Sequence, residues 1–428
     1  MLKKYTDYYS ALWESCSDHF PGFSRHYNPE EKHLKEEVLD QFLKSVKSFR
    51  KQRIRNKLFQ SETTETFILK TRGFLRDGLD FNNDQLELMF SDEMVALTRK
   101  FVQQAREFDS GLSFQDIFQA CRNVWIMNGL QFILGLKMEL TPSILAYSLL
   151  YPYTDNLIDN PEILGFEKMA FSSRFHDRLS GIKIAPENKT EHAVFRLVEM
   201  IETQYSRIDY PEVFESLLGI HEAQTNSLKL IQNKLTEAEI LEICVEKGSA
   251  SVLADGFLVS GRLSESQQYF LSGFGAYLQL LDDIQDVEED FQAGLKTVFS
   301  VDMFKSKLDA KLNKTYWFGE KVMENLHFFD GLHIDLFKSL MRKSMDLFII
   351  EAIAQNPDAY SQKYISNVED CSPFHFSYIR KRKEQFAPYN GFLLTAIEEI
   401  AADNFRKIQN ESVVNELILS EYPLLYLK

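Results

Sequence analysis

Residues 278–294 read LQLLDDIQDVEEDFQAG, with six acidic side chains in the nine positions from Asp282 to Asp290. At about 100° per residue, Asp282, Asp286 and Asp290 fall within roughly 80° of one another on a helix, along about 12 Å of its axis. Like charges at this spacing cost a helix roughly 0.2–0.5 kcal/mol per pair unless water or a cation compensates. Toward the N-terminus the same face continues through Leu278, Gly275, Phe274 and Leu271, where a solvated stripe would have stayed polar. A face that is apolar along its length and acidic at one end is the pattern of a pocket wall with a charged mouth.

A second carboxylate pair stands in SLLYPYTDNLIDNPE, where Asp155 and Asp159 are again four apart and their face runs back through Tyr151, Ser148 and Ile144. Pro152 inside this pattern predicts a kink or a restart just before Asp155. A single DxxxD is usually a solvated surface. Two of them, each flanked by apolar sequence, suit a hard divalent cation: Mg²⁺ takes oxygen ligands, keeps several waters, and is held by a few carboxylates together with substrate phosphates. An acidic mouth over an apolar cavity points to a substrate with a diphosphate head and a hydrocarbon tail.

The elements that must position these residues read as helices. Apolar residues recur at three- and four-residue spacing over 33–59, 92–107, 114–136, 143–159, 162–180, 190–206, 211–232, 236–260, 264–292, 315–326, 332–355, 374–386 and 390–407. Only 18 glycines and 11 prolines in 428 residues leave too little punctuation for an all-β chain. The breaks LTPS, DNPE, IAPENKTEH and SGRLSES are turns, not linkers. The expectation is an all-α protein, with residues 1–110 as helices that pack on or cap a catalytic helical domain over 111–428.

A net charge of −15 argues against nucleic acid as a partner. The basic run KSVKSFRKQRIRNKLF at 44–59 reads as a solvated helix face. Four dispersed cysteines without a CxxC pair suit a reducing compartment. The N-terminus lacks the apolar core of a secretory signal, and no apolar run is long enough to span a bilayer. A cytoplasmic protein is expected; peripheral membrane contact and the choice between monomer and homodimer stay open.

On its two aspartate motifs the chain resembles the class I isoprenoid synthases, in the branch containing squalene and phytoene synthases. DxxxD at Asp155 and Asp159 is similar to that branch's first motif, and Gln279, Asp286, Glu289, Asp290 and Gly294 to its second. Asp282, Asp283 and Asp286 also fit the elongating prenyltransferases, and Asp282, Asp286 and Asp290 the metal triad of terpene cyclases. SFQDIFQACRNVWIMNGLQ, AYSLLYPYTDNLIDNP, HEAQTNSL and EKGSASVLADGFLVSGRL most resemble bacterial large-terpene synthases of the tetraprenyl-β-curcumene type, class IB, over roughly residues 113–299.

The resemblance implies a single α-helical barrel around a central apolar cavity, with Mg²⁺ ions held by Asp155, Asp159, Asp282, Asp286 and Asp290. Asp283 and Glu289 are supplementary ligands or supports, although Asp283 and Glu288 are also expected to be solvated bystanders. The implied reaction is ionisation of a linear prenyl diphosphate, C15 to C35, with release of a terpene hydrocarbon or alcohol; head-to-head coupling of two prenyl diphosphates is the alternative. Candidates for holding the diphosphate are Lys247, Arg178, Lys296, Arg122 and Arg174, and for lining the cavity Phe118, Trp125, Tyr151, Phe274 and Tyr277. A carbocation needs preorganised charge at the leaving group and aromatic faces around itself. A di-iron bundle would use Glu-x-x-His pairs, formally present in EEKH and ENLH, and is disfavoured by the position of the first at a Pro-flanked helix start.

Overall fold

The computed structural model describes residues 2–23, 25–56, 61–159, 163–231, 234–329, 331 and 333–386, with backbone alone at 49–56, 61–65, 114, 155, 156, 158, 159 and 383–386. The protein is all-α, and the described residues contain no strand. Its helices are α1 Lys3–Glu14, α2 Pro29–Asn56, α3 Ser61–Leu79, α4 Asn83–Met89, α5 Asp92–Phe108, α6 Phe114–Ile133, α7 Pro142–Asp159, α8 Gly165–Leu179 and α9 Lys189–Gln204. They continue with α10 Pro211–Ser227, α11 Glu237–Ser260, α12 Glu265–Gln285, α13 Val287–Ala293, α14 Asp309–Glu324, α15 Ile334–Gln355, α16 Gln362–Glu369 and α17 Phe376–Phe386. The expected helix 390–407 lies outside the described residues.

The centre is the antiparallel pair α11 and α12. From Ile240 to Val259, α11 is buried at most of its positions, as a largely apolar helix must be. It packs against α1, α6, α7, α10 and α12. The two central helices touch backbone to backbone: a Cβ on Gly275 would lie 2.1 Å from the Gly248 carbonyl oxygen, and one on Gly248 would lie 2.3 Å from that of Gly275. The small residues after Lys247 therefore serve close helix packing. Gly261 ends α11 in the left-handed conformation, φ 73°, and Ser264 with Gln267 caps α12 reciprocally, so the hairpin is locally encoded.

Within residues 1–110, α1 belongs to the main core. Tyr5, Tyr9 and Trp13 are buried in it, and the Trp13 indole N–H donates to Thr315 Oγ1 at 2.9 Å. By contrast, Phe81 and Leu86 form a satellite cluster with Leu340 of α15. Among the described residues no helix is long and apolar enough to cross a membrane.

Candidate active site

A cavity of about 450 Å³ opens beside α11 and α12, and α6, α7, α8, α10 and α15 supply the rest of its wall. Of the residues the sequence singles out, Arg122, Tyr151, Lys247 and Asp282 all line it, brought together from α6, α7, α11 and α12. Arg122, Tyr151 and Asp282 are exposed at its rim and Lys247 is half-buried. Leu278 and Gly275, from the apolar part of the acidic face, line the same wall.

The acidic segment is not one continuous helix. α12 ends at Gln285 and α13 begins at Val287, with Asp286 between them at φ −94° and ψ 13°. The four-residue ladder survives the break: Asp286 N–H donates to the Asp282 carbonyl at 2.9 Å and Asp290 N–H to that of Asp286 at 2.8 Å. Asp282, Asp286 and Asp290 thus stay on successive turns. Gly294 closes α13 in the left-handed region, φ 73°.

Charge crowds at this end. Burial pushes the Asp290 carboxyl up to about 7, helped by the neighbouring charges of Asp283, Asp286 and Asp282 and opposed by a hydrogen bond from Thr297. Glu288 and Glu289 are exposed. Asp283 corrects the expectation of a solvated bystander: it is 3% exposed. One residue on from Asp282 along the helix, it turns toward Cys244 and Lys247 of α11, while Gln279 Nε2 of its own helix donates to its Oδ1 at 2.8 Å. Burial raises its carboxyl to about 6, against the pull of Gln279 and of the Lys247 charge.

The first aspartate motif sits in α7, which runs through Pro152 without restarting. The side chains of Asp155 and Asp159 lie outside the described residues. Among those described, no three Asp, Glu, His or Cys side chains converge on one point.

Other candidates go elsewhere. Arg174 grips Glu191, with Nε to Oε1 at 2.8 Å and Nη2 to Oε2 at 2.9 Å. Arg178 makes the same fork with Glu202, which Arg207 also binds. Both arginines tie α8 to α9, a structural role that their spacing along α8 does not reveal. The Lys296 N–H donates to the Leu230 carbonyl at 3.0 Å, and the residue is outside the cavity wall. Phe274 stacks on Phe270 with centroids 5.7 Å apart. Tyr277 lies over Gly319, where a Cβ would come within 2.2 Å of its Cζ, so both aromatics are core. Phe118 meets Trp125 edge-on at 5.9 Å, and Trp125 lines a different cavity. In YIRKRK at 378–383, Tyr378 and Arg382 both engage Asp40 of α2, away from the mouth.

The wall holds groups that sequence reading missed. Asp255 is 1% exposed, and its Oδ1 has no partner. Burial drives its carboxyl well above the usual range, opposed by a hydrogen bond from Asn123, another wall residue. A signal existed: Lys247, Ser251 and Asp255 recur every fourth residue as polar interruptions of apolar α11, and all three line the cavity. His221 from α10 also lines it, with its imidazole pushed down by burial and by His176. Ser344, Met345 and Phe348 of α15 carried no signal.

No family model matches the chain, and no curated protein matches its sequence. Among solved structures, the crystal structure of a decaprenyl diphosphate synthase from Rhodobacter capsulatus aligns at a TM-score of 0.32 and 13% identity, over 70% of this chain and 99% of that one.

Proposed function

We propose that this protein is a Mg²⁺-dependent terpene synthase of the isoprenoid synthase type. In this reading it ionises a linear prenyl diphosphate and releases a terpene hydrocarbon or alcohol with diphosphate. The observation that carries the reading is one cavity of about 450 Å³ with Asp282 of the acidic cluster, Lys247 and Arg122 on its wall and aliphatic and aromatic side chains below them. Such a wall binds a molecule charged at one end and apolar over the rest.

The donor set suits a hard cation. Asp282, Asp286 and Asp290 offer only oxygen, and their crowding with Asp283, which holds back ionisation of Asp290, is what a cation relieves. Mg²⁺ is commonly held by one or two carboxylates, water and substrate phosphate, so no all-protein cage is required. When bound, it would supply positive charge to the departing diphosphate. Lys247 and Arg122 donate to the diphosphate oxygens from α11 and α6. Leu150, Leu278, Val252 and Phe348 exclude water from the carbon that loses the leaving group.

The test is incubation of the purified protein with C15, C20, C25 and longer prenyl diphosphates and Mg²⁺, with diphosphate release and extracted products measured. Release from at least one substrate, lost in Asp282→Asn and in Lys247→Met while both variants stay folded, is expected. A product with twice the substrate's carbons would mean head-to-head coupling instead. No release from any substrate would overturn both.

A further inference from the structure

A second cavity, of about 460 Å³, lies where α3, α4 and α5 meet α6 and α15. Its wall is aliphatic, aromatic and methionine side chains with few polar groups, and its size is that of a small-molecule site. Most of those polar groups are already satisfied. Thr71 Oγ1 donates to the Phe67 carbonyl at 2.9 Å, Thr98 Oγ1 to that of Met94 at 2.9 Å, and the Trp125 indole N–H to Thr98 Oγ1 at 2.9 Å.

Two are not. Asn128 is 1% exposed and its Oδ1 has no partner, and neither does the buried Nε of Arg99. The Asn128 orientation is fixed by its neighbour. Gln131 Nε2 donates to the Glu139 carbonyl and Gln131 Oε1 accepts the Glu139 N–H, so Oε1 must also be the acceptor for Asn128 Nδ2 at 2.8 Å. Turning the amide would set two oxygens against each other. The wall therefore presents one unmet acceptor on Asn128, three residues beyond Trp125, and one unmet donor on Arg99, one residue beyond Thr98, next to the Thr98–Trp125 hydrogen bond that ties α5 to α6.

An unmet buried polar atom costs free energy that a ligand can recover. A hydroxyl can donate to Asn128 Oδ1 and accept from Arg99 Nε at once, whereas a carboxylate would meet Arg99 and leave Asn128 Oδ1 without a donor, and a hydrocarbon would leave both groups unpaired. From this complementarity we propose that the cavity between α3–α6 and α15 binds an aliphatic or isoprenoid alcohol, at a site separate from the candidate active site and independent of the reaction assigned there.

Trp125 in the wall reports on it. The full chain is titrated with farnesol, with the hydrocarbon farnesane and with farnesoate, following tryptophan emission and calorimetry. One farnesol per chain, bound about tenfold more tightly than farnesane, is expected, and farnesoate bound more tightly than farnesol would overturn the assignment of an alcohol. Asn128→Leu should remove the preference for farnesol over farnesane. Gly129→Leu and Met341→Trp, which fill the cavity from α6 and from α15, should each abolish binding while circular dichroism stays unchanged; two fillers keep the test intact if one fails to fold. No farnesol binding to the wild type, equal binding of farnesane, or undiminished binding in a folded filled variant would overturn the proposal.

Discussion

Asp290→Asn tests whether the acidic end of α12 and α13 is held together against its own charge. In the folded protein the Asp290 carboxyl moves from an ordinary 3.8 to about 7 through burial and the charges of Asp283, Asp286 and Asp282. The folded state then binds the proton more tightly than the unfolded chain, so stability falls as pH rises through the window from 3.8 to about 7. The full shift corresponds to about 4 kcal/mol. Asp290 is only partly buried, and solvent screening brings the expected effect to about 1–2 kcal/mol. Asparagine keeps the shape and drops the charge. In urea titrations with EDTA present, the variant should exceed the wild type by that amount at pH 8, and the gain should vanish by about pH 3, below the ordinary value of 3.8, where the residue is protonated in both the folded and the unfolded chain. Mg²⁺ with inorganic diphosphate should stabilise the wild type and leave the variant behind. A variant no more stable than the wild type at pH 8, or a gain that does not depend on pH, would mean that the Asp290 charge does not strain the folded state.

Gly275→Ala forces α11 and α12 apart by about 1 Å and should cost about 1–3 kcal/mol in urea denaturation, because its Cβ would meet the Gly248 carbonyl oxygen at 2.1 Å; an unchanged midpoint would contradict that contact. Arg178→Gln breaks the fork to Glu202 and should lower stability by about 1–3 kcal/mol while KM for a prenyl diphosphate stays put. A raised KM with unchanged stability would return Arg178 to the substrate.

The hydrophobic period, the capping residues and the scarcity of glycine and proline give an all-α chain, and most helix boundaries agree to within a few residues because those signals act within one turn. α1, absent from the expected helices, shows the limit: its Tyr5, Tyr9 and Trp13 acquire their core through α11, α12 and α14, some 250 to 300 residues away. In the site, the spacing of Asp282, Asp286 and Asp290 was legible because a helix turns it directly into a shared face. The break at Asp286 and the burial of Asp283 were not, because both depend on how α11 packs beside α12.

Cationic residues divide in the same way. Lys247 stands out locally as one of a four-residue polar series in apolar α11, but nothing in the local sequence separates Arg122, which lines the cavity, from Arg174 and Arg178, which bind Glu191 and Glu202. A long charged side chain takes the nearest opposite charge in space, and α9 brings that charge to α8. Most of the helices, and the carboxylates that fall on neighbouring turns of one face, could be read from the chain alone, since they follow from backbone geometry within four residues. Which charges line a cavity, which meet one another, and where two cavities open became visible only in the folded chain. Those outcomes are set by contacts between helices far apart in the chain.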